Sequence, residues 1–165
     1  MKSKLKRIEQ FSGDKATIYS VLQETAPGVA SLMIDQFIDR YKEQYLSEVI
    51  DILRRLKSLG NVTGCIASFF KLNEGLVEGD LVCALYDVPD HHLRLYCILL
   101  SDQILIVGDG GPKRTRTWQE DPQLTKTVHD MMNVSDIVRT KMRNGDLSVS
   151  RTGLLLEGDL YISKI

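Results

Sequence analysis

The chain contains 165 residues, of which 43% are hydrophobic, and this length and composition predict one domain spanning residues 1–165 with a substantial core. Its 21 basic and 22 acidic residues give a net charge of −1, which excludes a globally basic nucleic-acid-binding protein and leaves only a local basic patch for such a role. Three cysteines without a C-x-x-C pair, no apolar leader and no run of 18 apolar residues predict a cytoplasmic protein with reduced thiols and no membrane contact.

The first predicted elements are two short strands. Residues 4–11 suit a strand, and residues 16–22 contain the Thr, Ile, Tyr and Val side chains that strands favour. A helix that begins at Asp14 is the alternative for the second segment. Pro27-Gly28 ends whichever element precedes it.

A helical hairpin is predicted next. Apolar side chains recur at helical spacing over residues 29–45 and again over residues 48–59. Ser47 is the expected N-cap of the second helix, and Gly60-Asn61 is its expected C-terminal stop. The connection that follows, residues 62–80, contains three glycines and is predicted to be irregular.

Three consecutive strands are predicted in the middle of the chain. Residues 81–86, 93–100 and 103–108 are dense in aliphatic, tyrosine and cysteine side chains, and turn-forming residues separate them. A wide loop containing Pro89 joins the first two strands, because proline does not fit inside a paired strand. Ser101-Asp102 is the expected two-residue turn of the second hairpin.

The pairing of these strands separates an apolar face from a polar one. With Ser101-Asp102 as the turn, Arg94 lies opposite Asp109, and with the first loop centred on Asp90, Cys83 lies opposite Cys97. Because side chains alternate between faces, one face is predicted to be a core face that carries Leu81, Cys83, Leu85, Leu95, Cys97, Leu99, Ile104 and Ile106. The other face is predicted to carry Tyr86, Arg94, Tyr96, Ile98 and Asp109. It leads into a glycine-rich basic corner at residues 110–114 and is the best site candidate in the sequence.

The C-terminal part is predicted to form one long helix and a small β tail. Asp121 is the expected N-cap, with Pro122 at the first helical position. The helix is expected to run to about Met142 with a break or bend near residues 133–135, and residues 146–165 contain two or three short strands. The whole chain is therefore predicted to be an α+β domain, in which a twisted, mostly antiparallel sheet packs against the N-terminal helical hairpin.

The sequence contains no established motif for a metal or a cofactor, and neither is predicted. Residues 108–113 fail the spacings of the P-loop and of the dinucleotide-binding glycine motif. His91 and His92 are adjacent, so they cannot both face one ordinary metal site, and no zinc-type spacing of His or Cys occurs. A Gly-x-Ser-x-Gly nucleophile elbow is also absent from the sequence.

The basic corner offers residue types that bind and cleave RNA. Metal-free cleavage needs proton transfer and cations that stabilise the phosphorane, and aromatic rings can stack on bases. The candidate catalytic residues are Arg94, Tyr96, Lys113 and Arg114. The candidate RNA-binding residues are Arg116, Trp118 and Tyr86. On residue types alone a structural explanation is favoured, in which Arg94 pairs with Asp109 and the corner is a solvated loop.

The order of these elements resembles the RelE/HigB-type toxins, of the RelE/ParE superfamily, of bacterial toxin–antitoxin systems. In that family a helical hairpin precedes three strands and a short basic corner, and here LVCALY, LRLYCILL, QILIVG and GGPKRTRTWQEDP take those places. The resemblance covers about residues 29–125, with residues 122–165 as a C-terminal extension. By position, Arg94 matches the strand arginine of the family, and Lys113 with Arg114 or Arg116 matches the basic corner.

The resemblance implies a metal-independent endoribonuclease that cuts mRNA at the ribosome. It also implies a partner antitoxin, expected to be a small helix-turn-helix protein. The alternative is a non-catalytic protein on the same scaffold that serves as a protein- or RNA-binding module, because a shared fold does not guarantee a shared activity.

Overall fold

The computed structural model describes residues 2–76, 79–85 and 91–162. Its helices are α1 Met33–Tyr41, α2 Leu46–Ser58 and α3 Pro122–Asn144. Its strands are β1 Ser3–Arg7, β2 Thr17–Ala26, β3 Val29–Leu32, β4 Phe70–Lys71, β5 Val82–Leu85, β6 Leu93–Ser101, β7 Ile104–Pro112, β8 Leu147–Val149, β9 Leu156–Gly158 and β10 Tyr161–Ile162. Short helical turns at Leu59–Thr63, Ala67–Phe69 and Trp118–Glu120 complete the described elements.

Eight of these strands form one mixed sheet. Its order is β10-β1-β2-β7-β6-β5-β4, and β3 pairs with β2 as well. Every pair is antiparallel except β2 with β7, which run parallel. The helical hairpin lies in the chain between these two strands, and parallel strands need such a crossover connection. Strands β8 and β9 form a separate hairpin.

Helices cover both faces of the sheet. On one face α1 and α2 pack against alternate side chains of β5, β6 and β7, including Cys83, Leu95, Cys97, Leu105 and Val107. On the other face α3 packs against the intervening side chains, including Val82, Tyr96, Ile98, Ile104 and Ile106. Strands that are buried on both faces are apolar throughout, which explains the dense hydrophobic runs. The predicted α+β fold, with its N-terminal hairpin and C-terminal helix, is confirmed.

The register of β6 and β7 differs from the predicted one by one or two residues. Asp102 and Gln103 form the turn, and the Gln103 amide donates to Ser101 Oγ at 3.1 Å. This side-chain contact and the irregularities in the ladder shift the pairing, so that Arg94 lies opposite Gly111 rather than Asp109. Ile104 and Ile106 consequently lie on the Tyr96 face, not on the predicted core face.

Other features of the central strands follow the prediction. Cys83 pairs with Cys97 across β5 and β6, and all three cysteines are buried free thiols. Arg94 and Tyr96 project opposite Leu95 and Cys97, as expected from strand alternation. The face that carries Tyr96 was predicted to be a polar face, but α3 covers it and leaves Tyr96 1% exposed.

The helical hairpin begins and ends differently from the prediction. Residues 29–32 pair with β2 as β3, so α1 begins only at Met33. Ser47 is not a cap, since α2 begins at Leu46 without a side-chain cap. Helix α2 continues into a π-helical turn that ends at Gly64. A Cβ at Gly60 would lie 1.8 Å from the Phe11 carbonyl oxygen, so this glycine permits close packing rather than ending the helix.

Helix α3 is continuous over its 23 residues, so the predicted break near residues 133–135 does not occur. The predicted cap is present, because Asp121 Oδ1 accepts hydrogen bonds from the Gln123 and Leu124 amides at 2.9 and 3.2 Å. Ser135 does not interrupt the helix, since its buried hydroxyl donates to the Asp80 carbonyl. No helix in the described part of the chain is long and apolar enough to cross a membrane.

The N-terminal strand and the C-terminal tail close the other edge of the sheet. The strand predicted at residues 16–22 is present and longer, as β2 Thr17–Ala26, and the alternative helix is not formed. Strand β10 pairs with β1. The side chains of Leu147, Leu156 and Ile162 are buried in the same hydrophobic cluster as those of α3. The tail is therefore part of the folded domain, although Tyr161 within it remains 55% exposed.

The Asp121 cap gives the first testable prediction. We expect Asp121→Ala to lower the free energy of unfolding by about 1 kcal/mol, because two amides at the start of α3 lose their acceptor. Urea unfolding would measure the loss. The matched control is Asp136→Ala, which changes a largely exposed carboxylate in the middle of the same helix. Equal losses in the two variants would contradict the capping role.

Candidate functional site

A polar pocket of about 260 Å³ lies beside the end of β7. Three chain segments form it: the loop after β4, the middle of β6, and the segment that joins β7 to α3. Its lining residues are Lys71, Asn73, Glu74, Gly75, Tyr96, Lys113, Thr117, Trp118 and Gln119. The pocket therefore brings three of the predicted site residues together with six that the sequence analysis did not select.

The end of the β6–β7 ladder positions Lys113. Leu93 pairs with Pro112, and the Lys113 amide donates to the His92 carbonyl oxygen at 2.8 Å. Lys113 is the first residue beyond β7, where its half-buried side chain reaches the pocket. A Cβ at Gly110 would lie 1.8 Å from the Arg94 carbonyl oxygen, so glycine is required for the close approach of the two strands. Gly110 is thus a strand residue and not part of the glycine-rich corner that the sequence suggested.

The predicted catalytic residues lie at different depths. Tyr96 is buried and lines the pocket, and Lys113 lines it as a half-buried side chain. Arg94 is half-buried, and its charge influences both Tyr96 and Lys113. Arg114 is exposed and is not among the lining residues.

The predicted RNA-binding residues differ in exposure and in their distance from the pocket lining. Arg116 is exposed outside the pocket lining. Trp118 lines the pocket but is only 4% exposed, and its ring meets that of His129 edge-on at 6.1 Å between centroids. A buried indole is not an open stacking platform, so that part of the prediction is wrong. Tyr86 lies outside the described residues.

Asp109 does not pair with Arg94. Its carboxylate instead accepts hydrogen bonds from Arg40 Nη1 at 3.0 and 3.2 Å and from the Gly110 amide at 2.7 Å. The shift in register moved Asp109 away from the position opposite Arg94. The structural explanation proposed for Arg94, a pair with Asp109, is therefore wrong.

Among the described residues of the pocket lining, Glu74 is the only acidic one, and it is one of the six that the sequence analysis did not select. Its side chain is only 10% exposed, and Oε1 lies 3.3 Å from Lys71 Nζ. The Glu74 amide donates to the Val82 carbonyl oxygen at 3.0 Å, which continues the β4–β5 pairing into the loop. The sequence signals at this point were Asn73 and Gly75, which indicate a turn but not a pocket. Asparagine tolerates left-handed backbone, and Asn73 has φ 58°.

Asp80 anchors the loop that carries Glu74. The Val82 amide donates to Asp80 Oδ1 at 3.1 Å, and the Asp80 carbonyl accepts from the Ser135 hydroxyl of α3. Leu81, between these contacts, has φ 66°, a conformation that leucine rarely adopts. The loop therefore holds Glu74 in place through contacts with both the sheet and α3.

Burial and neighbouring charges shift the pKa values of two side chains that line the pocket. Burial, and then the neighbouring charges of Arg94 and Lys71, lower the pKa of Lys113. Burial, and then the negative charge of Glu74, raise the pKa of Tyr96 far above its usual range. Tyr96 thus remains a hydrogen-bond donor at neutral pH, while Lys113 releases its proton more readily than an ordinary lysine does.

A buried carboxylate on α2 supports this end of β6. Glu48 Oε1 accepts from the His92 and Leu93 amides at 2.5 and 3.0 Å, and Oε2 lies 3.1 Å from His92 Nδ1. Because the His92 carbonyl accepts from the Lys113 amide, these contacts connect α2 to the pocket. Among the residues that the structure describes, no group of three His, Cys, Asp or Glu side chains could hold a metal ion.

Comparison of the chain with protein families, with curated proteins and with solved structures finds no match. Its function must therefore be inferred from the pocket and the residues around it.

The Glu48 contacts predict a pH dependence of stability. Burial alone would raise the pKa of Glu48, but hydrogen bonds from Leu93 and His92 bring it below its ordinary value. A lowered folded-state pKa stabilises the protein above the unfolded value of about 4.3, and this stabilisation is lost as the pH falls through the folded-state value. We expect Glu48→Gln to unfold at lower urea concentration than the wild type at pH 7, with the difference shrinking below pH 4. The control is Asp51→Asn, and a difference independent of pH would contradict the assignment.

Proposed function

We propose that this chain is a RelE/HigB-like toxin, a metal-independent endoribonuclease that cleaves mRNA at the ribosome and is inhibited by a small helix-turn-helix antitoxin. The observation that carries the proposal is the surroundings of Lys113. This half-buried amine lies at the rim of a polar pocket, its pKa is lowered by burial and by Arg94 and Lys71, and two exposed arginines follow it.

The order of the elements also supports the proposal. Helices α1 and α2 precede β5, β6 and β7, and a basic segment follows, which is the order expected from the resemblance. Helix α3 and strands β8 to β10 form an additional layer and edge beyond that core.

Lys113 is suited to accept the proton of an RNA 2′-hydroxyl, because part of a lysine population with a lowered pKa is neutral amine. The 2′-oxygen then bonds to phosphorus while the bond from phosphorus to the 5′-oxygen breaks, and the 5′-oxygen takes a proton from water. Arg94 and Arg114 offset the negative charge of the phosphorane. Arg116 holds a neighbouring phosphate, and Tyr96 donates a hydrogen bond inside the pocket.

One observation favours a second function, an RNA-binding or protein-binding module without turnover. Tyr96 and Trp118, two of the three aromatic residues expected to serve RNA cleavage or binding, are buried under α3 and present no stacking surface. On this alternative, exposed Arg114 and Arg116 bind a partner while the pocket takes no part in a reaction.

Lys113 variants distinguish the two functions. We expect Lys113→Arg to keep RNA binding but to lower cleavage of a labelled single-stranded RNA by about 100-fold or more, because a guanidinium remains protonated and cannot act as the base. Wild-type cleavage should rise with pH through the lowered pKa of Lys113, whereas the residual cleavage by the variant should not follow that profile. The reactions contain a metal chelator, and Lys57→Arg, at an exposed position of α2, is the control.

Two outcomes would contradict the endoribonuclease. RNA binding by the wild type without cleavage, with ribosomes supplied, would leave the binding module. A wild type that neither binds RNA nor slows translation would exclude RNA as the ligand of the basic segment.

The exposed arginines give a separate prediction on affinity. We expect Arg114→Ala with Arg116→Ala to weaken RNA binding and to reduce the slope of log K against log salt by about 1.4, at about 0.7 per lost phosphate contact on single strands. Stability should change by less than about 0.5 kcal/mol, because both side chains are exposed. Arg54→Ala with Lys57→Ala on α2 is the control. An unchanged salt slope in the double variant would show that RNA does not contact this segment.

A further inference from the structure

The polar pocket carries charges of both signs. Glu74 places a nearly buried negative charge in the lining, beside the ammonium groups of Lys71 and Lys113. Exposed Arg114 and Arg116 lie outside the lining. Because Glu74 offsets one of the two lysine charges of the pocket, the outer arginines attract a phosphate more strongly than the pocket does. If RNA binds here, its backbone remains outside, and a neutral part of a nucleotide enters the pocket.

The Lys71–Glu74 pair offers a defined hydrogen-bond pattern to whatever enters. The Lys71 ammonium lies 3.3 Å from Glu74 Oε1, and both side chains line the pocket. An ammonium is only a donor and a carboxylate is only an acceptor, so together they present a donor beside two acceptor oxygens. Asn73 and Gln119 add one amide each to the same lining.

Guanine is the base whose edge complements this pattern. Its O6 accepts a hydrogen bond, and the adjacent N1–H and N2–H groups donate two. Adenine and cytosine have an unprotonated ring nitrogen where guanine has N1–H, so it would face the carboxylate with a lone pair. Uracil has one ring N–H between two carbonyl groups, which leaves the second carboxylate oxygen opposed by an acceptor.

We propose that the polar pocket is a guanine-binding subsite, in which Glu74 accepts hydrogen bonds from N1–H and N2–H while Lys71 donates to O6. This assignment deepens the proposed endoribonuclease and rests on it. With guanine in the pocket, the attached ribose and phosphate lie at Lys113, so cleavage occurs next to guanosine. Glu74 is then the residue that determines sequence specificity, and Lys113 remains the proton acceptor.

The first experiment maps the cleavage sites in a set of single-stranded RNAs that differ only in the base at one position. We expect the wild type to cut next to guanosine at least tenfold faster than next to the other bases. Glu74→Gln should remove this preference while cleavage next to the other bases continues, because its NH₂ group opposes a guanine donor. Glu120→Gln is the matched control, since Glu120 is an exposed carboxylate near the pocket but outside its lining.

The second experiment measures binding to the intact protein without any reaction. Guanosine 5′-monophosphate should bind at least tenfold more tightly than adenosine 5′-monophosphate in calorimetry, and Lys71→Ala should reduce the difference. Lys71 is half exposed, so this variant is expected to fold even where a change at buried Glu74 is not tolerated.

Each outcome has a defined meaning. Loss of cleavage at all sequences equally in folded Glu74→Gln would make Glu74 a proton acceptor and overturn the guanine assignment. A wild type that cleaves without guanine preference would overturn the assignment alone and leave the proposed endoribonuclease. A wild type that does not cleave RNA would contradict the endoribonuclease, and equal binding of the two monophosphates would then overturn the guanine subsite independently.

Discussion

The pairing of β6 with β7 determines where the candidate functional residues lie. Leu93 opposite Pro112 brings the two strands to a common end, and the hydrogen bond from the Lys113 amide to the His92 carbonyl extends the pairing by one contact. Gly110 permits this pairing because a side chain there would strike the Arg94 backbone. Glu48 holds the His92 end from α2. Arg94 and Lys113 therefore lie near one another at a fixed end of the sheet, where a half-buried amine comes under the influence of other cations.

Burial of both sheet faces explains why the site lies at the end of these strands. Helices α1 and α2 cover one face and α3 covers the other, so neither face of the central strands can receive a macromolecule. Tyr96 shows the consequence, since it is closed off by α3 yet lines the pocket where the sheet meets the loop after β4. The polar pocket lies where chain segments leave the sheet, and functional residues are often found on such loops.

The sequence was sufficient to predict the alternation of side chains within a strand, but not the packing of α3 on the second face of the sheet. Period-2 alternation correctly put Arg94 and Tyr96 opposite Leu95 and Cys97, because alternation is a property of one strand. It could not show that the second face was also buried, since apolar runs are compatible with either case. The predicted register of β6 and β7 was wrong because the turn lies one residue later, at Asp102 and Gln103, where the Gln103 amide donates to Ser101 Oγ. Glu74 was missed because its partner Lys71 and its pocket arise only when a loop folds back beside β6.

A contribution to folding stability does not explain the Lys71–Glu74 pair well. A half-exposed ion pair contributes little, and placing a carboxylate in a nearly buried position costs solvation energy that such a pair does not fully recover. The loop around it is also strained, because Leu81 adopts a left-handed conformation and Asp80 is buried to anchor the turn. The nearly buried carboxylate and the left-handed leucine thus occur together in the loop that lines the polar pocket. Proteins retain such costs mainly where the arrangement is needed for recognition or chemistry, so the pair is better explained by a ligand than by folding.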